Sequence, residues 1–154
     1  RENDGKLVHL VAQIDVEDML RESEYGIAVP VIRLKRRVQM YQWVEEETSR
    51  TVEAADGQQV ETSFNSPFNH ENPRSLPLES RVQEAATAYV GAFRVTRELR
   101  DLFTRYTIFA SDERPADRRI KLHGDIFYHC ANIEAPNVGD IRVQFAYAGK
   151  AGDT

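Results

Sequence analysis

His123, Asp125 and His129 are the residues whose types best suit metal binding or acid–base work, because all three share one face if residues 123–129 form an unbroken strand. Imidazole nitrogens and carboxylates bind transition metals and pass protons near neutral pH. Gly124 between them argues against an unbroken strand, and His9 could join only through a distant tertiary contact. Ordinary strand and turn histidines, with no metal, are therefore expected. Glu45-Glu46-Glu47 offers carboxylates, but neighbours on a strand alternate between faces. A glycosidase pair needs two carboxylates about 5–9.5 Å apart across a cleft, so the three read as solvated charges that guard a strand edge. Cys130 is the single cysteine, which rules out an internal disulfide. It lacks the helix N-terminus or adjacent Lys that activates a thiolate and reads as a buried strand residue. No phosphate-binding loop, dinucleotide fingerprint, zinc-protease motif, serine-hydrolase motif or paired CxxC occurs. The sequence assigns no catalytic, cofactor-binding or metal residue.

The elements that would position these groups are mostly strands. Residues 34–47 alternate without Gly or Pro and read as one strand, more than twice the usual length of about 5–6 residues. Leu34, Arg36, Val38, Met40, Gln42 and Val44 share one face; Lys35, Arg37, Gln39, Tyr41, Trp43 and Glu45 share the other. Tyr41 and Trp43, on an otherwise charged face, are either covered by another element or left as a contact patch. Ala55-Asp56-Gly57 is the best hairpin signal and folds residues 58–64 back along the end of the long strand.

Residues 6–14 carry apolar side chains on both faces and predict a central strand. Residues 15–22 predict a short helix or turn, with Val16, Met19 and Leu20 at helical spacing. Residues 65–77 are loop. Residues 87–95 predict a strand, followed by a short helix over residues 96–105 capped by Thr96, with Leu99, Leu102, Phe103 and Tyr106 as its apolar stripe. Residues 118–122 and 125–130 flank a bulge or tight bend at His123-Gly124. Ile141, Val143, Phe145 and Tyr147 mark a last strand with one buried face. The fold class expected is α+β, predominantly antiparallel β with one or two short helices, as a single domain over residues 1–154 containing one unusually long strand.

Composition limits the function. In 154 residues, 41% are hydrophobic and 29% charged, which suits a globular domain with a modest core. A formal charge of -5 argues against a nucleic-acid surface, despite the local run of Arg33, Lys35, Arg36 and Arg37. The longest apolar stretch falls far short of the ~20 residues of a membrane helix. The chain begins at Arg1 and reads as part of something longer.

Three blocks together carry a resemblance: Glu2-Asn3-Asp4-Gly5-Lys6-Leu7-Val8-His9; Tyr25-Gly26 with Val38-x-Met40-Tyr41-Gln42-Trp43-x-Glu45; and Gly124-Asp125-Ile126-Phe127-Tyr128-His129 with Val138-Gly139-Asp140-Ile141-Arg142-Val143 and Tyr147-Ala148-Gly149. The chain resembles the large soluble region of the LUMA family, also called transmembrane protein 43, and is read as a bacterial member. The resemblance implies a domain between the first and second membrane helices, lumenal in animals and periplasmic in bacteria. It implies self-association and binding to other membrane proteins, and no enzyme activity, cofactor or nucleic-acid partner. The family pattern has a longer segment where residues 63–70 stand here, and it continues past Thr154.

The expected function is self-association or organisation of membrane-protein complexes, with Tyr41, Trp43, Asp56 and Gly57 as candidate contact residues. The alternative is a domain that binds or hydrolyses lipid or envelope material, which would need a deep apolar cleft with converging polar groups. Elemental analysis of protein purified without chelator is expected to find no stoichiometric zinc. Zinc that disappears in His123→Ala or His129→Ala would reverse that expectation.

Overall fold

Ile141, Val143 and Phe145 are buried on the last strand, and Leu34, Arg36 and Val38 are buried on the strand that lies beside it. These two strands form the spine of the computed structural model, which describes residues 2–44, 46–54, 57–65, 71–111 and 113–154, the side chains of 46–54 and 57–65 excepted. The elements run β1 (Ile14–Val16), β2 (Leu20–Glu22), β3 (Ile27–Val29), β4 (Val31–Met40), β5 (Glu46–Ala54), β6 (Gly57–Asn65), β7 (Arg81–Glu84), β8 (Ala88–Val90), β9 (Phe93–Arg94), α1 (Arg97–Arg100), β10 (Thr107–Phe109), β11 (Ile120–His123), β12 (Ile126–His129) and β13 (Ile141–Lys150). A single 3-10 turn, Ser23–Tyr25, separates β2 from β3.

β13 pairs antiparallel with β4 from Ile141 opposite Met40 to Lys150 opposite Val31. Its other edge is shared, with β12 beside Ile141 to Gln144 and β10 beside Phe145 to Tyr147. β11 and β7 complete the six-stranded sheet. β7 covers β4 only from Arg33 to Arg36. Further along, the hydroxyl of Ser80 accepts the Val38 N–H at 2.8 Å, so this backbone donor is not left open.

The larger core cluster joins Leu34 and Val38 to Ile120, Phe127, Val143 and Phe145, with Tyr25 inserted among the aromatics. Tyr25 meets Phe127 and Phe145 at 5.0 Å between centroids, and those two meet each other at 5.8 Å. The tilted and edge-on geometries suit ring quadrupoles better than parallel stacking. Ile32 belongs to a second cluster with Val16, Ala85, Ala88 and Val95.

One charged cluster lies inside the first core. Arg36 is on the apolar face of β4, and its Nη1 donates to Glu22 Oε2 at 3.1 Å. Glu22 also accepts from Arg81 Nη2 at 3.0 Å and Gln83 Nε2 at 2.9 Å, while Arg36 Nε donates to the Glu79 carbonyl at 2.9 Å. Each lone pair and donor so used lowers the cost of holding charge away from water.

The predominantly antiparallel architecture with one short helix agrees with expectation. The single strand over residues 34–47 does not. β4 starts earlier, at Val31, and stops at Met40 because its partner stops there. β13 begins just after a turn in which Asp140 N–H donates to the Asn137 carbonyl. The last bonds run from Tyr41 N–H to the Asp140 carbonyl at 2.8 Å and from Gly139 N–H to the Tyr41 carbonyl at 2.9 Å. A strand without a ladder partner has no structural reason to continue. Glu46 and Glu47, at the end of the run, belong instead to β5, which forms a hairpin with β6, Ala54 opposite Gly57.

Four other expectations are corrected. Residues 6–13 form no strand, and Leu7, Val8, Leu10 and Val11 are exposed; only from Ile14 does a neighbour, β8, supply pairing. Residues 15–22 form β1 and β2 rather than a helix, because Glu17 N–H donates to the Thr87 carbonyl and the Asp18 carboxylate accepts the Thr87 N–H. Residues 87–95 reverse at Gly91 (φ +59°), where a Cβ would stand 2.9 Å from that of Ala12, so β8 and β9 form a hairpin. The helix is shorter than expected and exposes Leu99 and Leu102, although Thr96 does cap it, its hydroxyl accepting the Leu99 N–H at 3.4 Å. The bend at His123-Gly124 is a two-residue hairpin turn with positive φ at Gly124 and Asp125. The segment expected to mark a family deletion falls largely on residues 66–70, outside the described residues.

Removing the Glu22 carboxylate would strand the buried Arg36 guanidinium. Glu22→Ala is therefore expected to lower unfolding free energy by about 3–5 kcal/mol in urea titration. Arg81→Ala removes a half-exposed partner and should cost about 1 kcal/mol or less. Equal losses in the two variants would reject the cluster as the core's anchor.

Candidate interaction surface

Tyr41, Gln42, Trp43 and Val44 leave the sheet as an extended, exposed strip rather than as a strand. Two clasps hold its backbone. The Asp140 and Gly139 bonds fix Tyr41 at the sheet edge. Asn72 then binds Trp43 on both sides of its backbone: the Trp43 N–H donates to Oδ1 at 2.6 Å, and Nδ2 donates to the Trp43 carbonyl at 2.8 Å. An amide side chain that replaces both bonds of a ladder rung does locally what a neighbouring strand would do.

With the backbone fixed, Tyr41 is 53% exposed, Trp43 39% and Val44 71%. Shallow clefts flank the strip. One of about 420 Å³ is lined by Met40, Tyr41, Tyr128, Cys130 and Pro136. Another of about 320 Å³ is lined by Val38, Met40, Gln42, Pro73 and Leu76. Large amphipathic rings on a clasped backbone beside recesses of mixed polarity are what protein contacts use, because little side-chain entropy is lost on binding.

Tyr41 and Trp43 thus sit together. Gly57 does not join them: it opens β6 at the far end of the hairpin, roughly 25–30 Å of strand from Glu46 at about 3.3 Å per residue. Asp56 lies outside the described residues. Asn72 is the residue that reading the sequence missed as part of the site. It stood out only within His70-x-Asn72-Pro73, which fits the family resemblance, and nothing local marked its role, which depends on a chain segment distant in sequence.

The groups with chemical potential do not converge. His123 ends β11 opposite Ile126, whereas His129 ends β12 opposite Ile120, so the hairpin holds them at opposite ends. His9 is exposed in the N-terminal arm. Among the described residues no group of His, Cys, Asp and Glu is arranged to hold a metal ion. Cys130 falls just past β12 and is half-buried, rather than a buried strand residue. His129 instead serves the core: its Nε2 shares a hydrogen bond with the Tyr25 hydroxyl at 2.8 Å. Burial, aided by the nearby Glu24 carboxylate, pushes the Tyr25 phenol up to about 12. Burial pulls the His129 imidazole below its usual value, while Glu24 and Asp117 oppose that shift and Arg119 adds to it.

With the geometry described, the chain can be compared with known proteins. A family model described as Transmembrane protein 43 matches residues 40–154. The Transmembrane protein 43 homolog of Drosophila melanogaster is 36% identical over 97% of this chain and 45% of its own length. Human Transmembrane protein 43 is 34% identical over 99% of this chain and 42% of its own length. The mouse protein is likewise 34% identical over 99% of the chain. No solved structure matches. The relatives are named as transmembrane proteins, and this β-rich chain belongs to the Transmembrane protein 43 family. It spans less than half the length of the curated relatives it matches. No helix among the described residues is long and apolar enough to cross a membrane.

The His129 shift has a pH consequence. As pH falls below 6.5, the unfolded chain takes up the proton before the folded chain does. Stability contributed by this group is therefore lost as pH falls from 6.5 toward the folded midpoint. Titration by imidazole NMR should give a midpoint below 6.5, and His129→Phe should flatten this part of the stability profile. A midpoint at or above the unfolded value would contradict the assignment.

Proposed function

We propose that this chain is the non-enzymatic, water-exposed interaction domain of a multi-span membrane protein, acting in self-association or in organising membrane-protein complexes. In this reading it faces the periplasm or the lumen, and its membrane helices lie outside the residues given. The observation that carries the reading is the exposed strip from Tyr41 to Val44, clasped by Asn72 and by the Gly139–Asp140 turn. Holding Tyr41 53% exposed at the surface on a fixed backbone is hard to explain as core building, since its ring belongs to neither buried cluster. It is well explained as a contact prepared in advance.

The family assignment supports the membrane part of the reading, because relatives with similar sequence over nearly the whole chain are named transmembrane proteins.

Sedimentation of the wild-type chain against Tyr41→Ser and Trp43→Ser tests the proposal. Association that weakens by about tenfold or more in either folded variant is expected, as for central aromatic contacts. Association that is unchanged in both would remove the strip from the interface, and a chain that stays monomeric at high concentration would place self-association elsewhere in the protein.

A further inference from the structure

The opposite end of β4 carries a second exposed surface of a different kind. Phe103 lies against Ile32 and Gly149 there, so close that a Cβ on Gly149 would come within 2.8 Å of its ring. Ile32 and Tyr41 are nine residues apart along the chain, which separates this end from the aromatic strip by roughly 30 Å. Around Phe103 the chain brings together Leu10 of the N-terminal arm, Val90 and Phe93 of the β8–β9 hairpin, and Leu99 and Leu102 of the capped helix and its following turn. The recess they line measures about 300 Å³. The arm is held in place by Gly91, whose N–H donates to the Gln13 carbonyl at 3.0 Å.

What distinguishes this surface is that its apolar side chains project outward. Leu102 is 72% exposed and Phe93 59%, with Leu7 and Val11 on the adjoining arm more exposed than half. Arginines flank them in the sequence. Residues 93–106 contain Arg94, Arg97, Arg100 and Arg105 against Glu98 and Asp101, an excess of two positive charges in a chain whose formal charge is -5. Arg100 is engaged inward, by Glu84 and the Ala85 carbonyl, whereas Arg94, Arg97 and Arg105 are exposed.

We propose that this surface rests on a lipid bilayer containing anionic headgroups. Phe93, Leu99 and Leu102 enter the boundary between headgroups and acyl chains, and Arg94, Arg97 and Arg105 reach phosphate and carboxylate groups at its rim. Apolar side chains interleaved with arginine are the composition that binds a bilayer interface, where burial and charge attraction add. A bilayer with anionic headgroups offers both an apolar phase for the outward leucines and phenylalanine and a continuous negative surface for the arginines; a second copy is the alternative that the test below separates. The inference rests on the membrane-anchored part of the proposed function, which holds the domain beside a bilayer, and not on the self-association part.

Co-sedimentation of the full chain with phosphatidylcholine vesicles, with and without phosphatidylserine, tests it. Binding to the mixed vesicles is expected, weakening with added salt. Leu102→Asp and Phe93→Asp should each reduce it by about tenfold or more. Arg94→Gln with Arg97→Gln should remove most of the preference for phosphatidylserine. Tyr41→Ser should leave vesicle binding unchanged, so that failure of the aromatic strip and failure of this surface are told apart. Leu102→Gln, with thermal melts, guards against misfolding of the charged variants. Absence of binding to both vesicle types overturns the proposal, as does binding that Leu102→Asp and Leu102→Gln leave intact. Self-association without vesicles that disappears in Leu102→Asp, with no vesicle binding, would instead assign the surface to a second copy.

Discussion

Burial of Arg36 is the constraint from which much of the fold follows. The side chain lies on the face of β4 that also carries Leu34 and Val38, so pairing β4 with β13 draws a guanidinium into the core. A buried cation without a partner costs several kcal/mol, and Glu22 supplies the partner. That requirement fixes where β2 can lie. β2 leads directly into the turn that holds Tyr25, and Tyr25 then completes the cluster with Phe127 and Phe145 and meets His129. A single charge on an otherwise apolar strand face thereby orders three layers of contact in succession. The pair specifies position more than it adds net stability, since a well-packed apolar substitute could match its energy.

β4 also sets the distance between the two outward-facing surfaces. Its length is the length of the ladder with β13, and backbone hydrogen bonds mark both ends. At one end the Gly139 and Asp140 bonds turn the chain out into the aromatic strip. At the other, Ala151 N–H donates to the Pro30 carbonyl, and Gly149 permits close approach of Phe103. The two proposed contacts use different residues, so they would not compete with one another. Neither surface needs an enclosed cavity or a set of converging titratable groups.

Period-two patterning was enough to read β12, β13 and the first half of the long run, the Asp56-Gly57 signal located the β5–β6 hairpin, and the bend read at His123-Gly124 lies one residue from the β11–β12 turn at Gly124-Asp125. Those signals are local: alternation and positive-φ residues act within a few positions of themselves. The family resemblance was legible for the same reason, as its motifs are contiguous. Tyr41 and Trp43 could be named as candidates from side-chain type alone, but not their support by Asn72, which stands 29 positions from Trp43.

What the sequence by itself determined was which faces are apolar, where the chain can turn, and to which family it belongs. Tertiary structure decided where each strand ends. The run through residue 47 has no internal stop, and it breaks after Met40 only because β13 offers no further ladder. Residues 6–13 have a pattern suited to a central strand, yet they pair with no strand and stay mostly exposed; pairing begins at Ile14, where β8 lies alongside. Arg36 was visible on an apolar face, but its partner came from a strand read as helix. Backbone hydrogen bonds and buried charges are satisfied by whichever groups the fold brings near, and that proximity is a property of the whole chain rather than of any window along it.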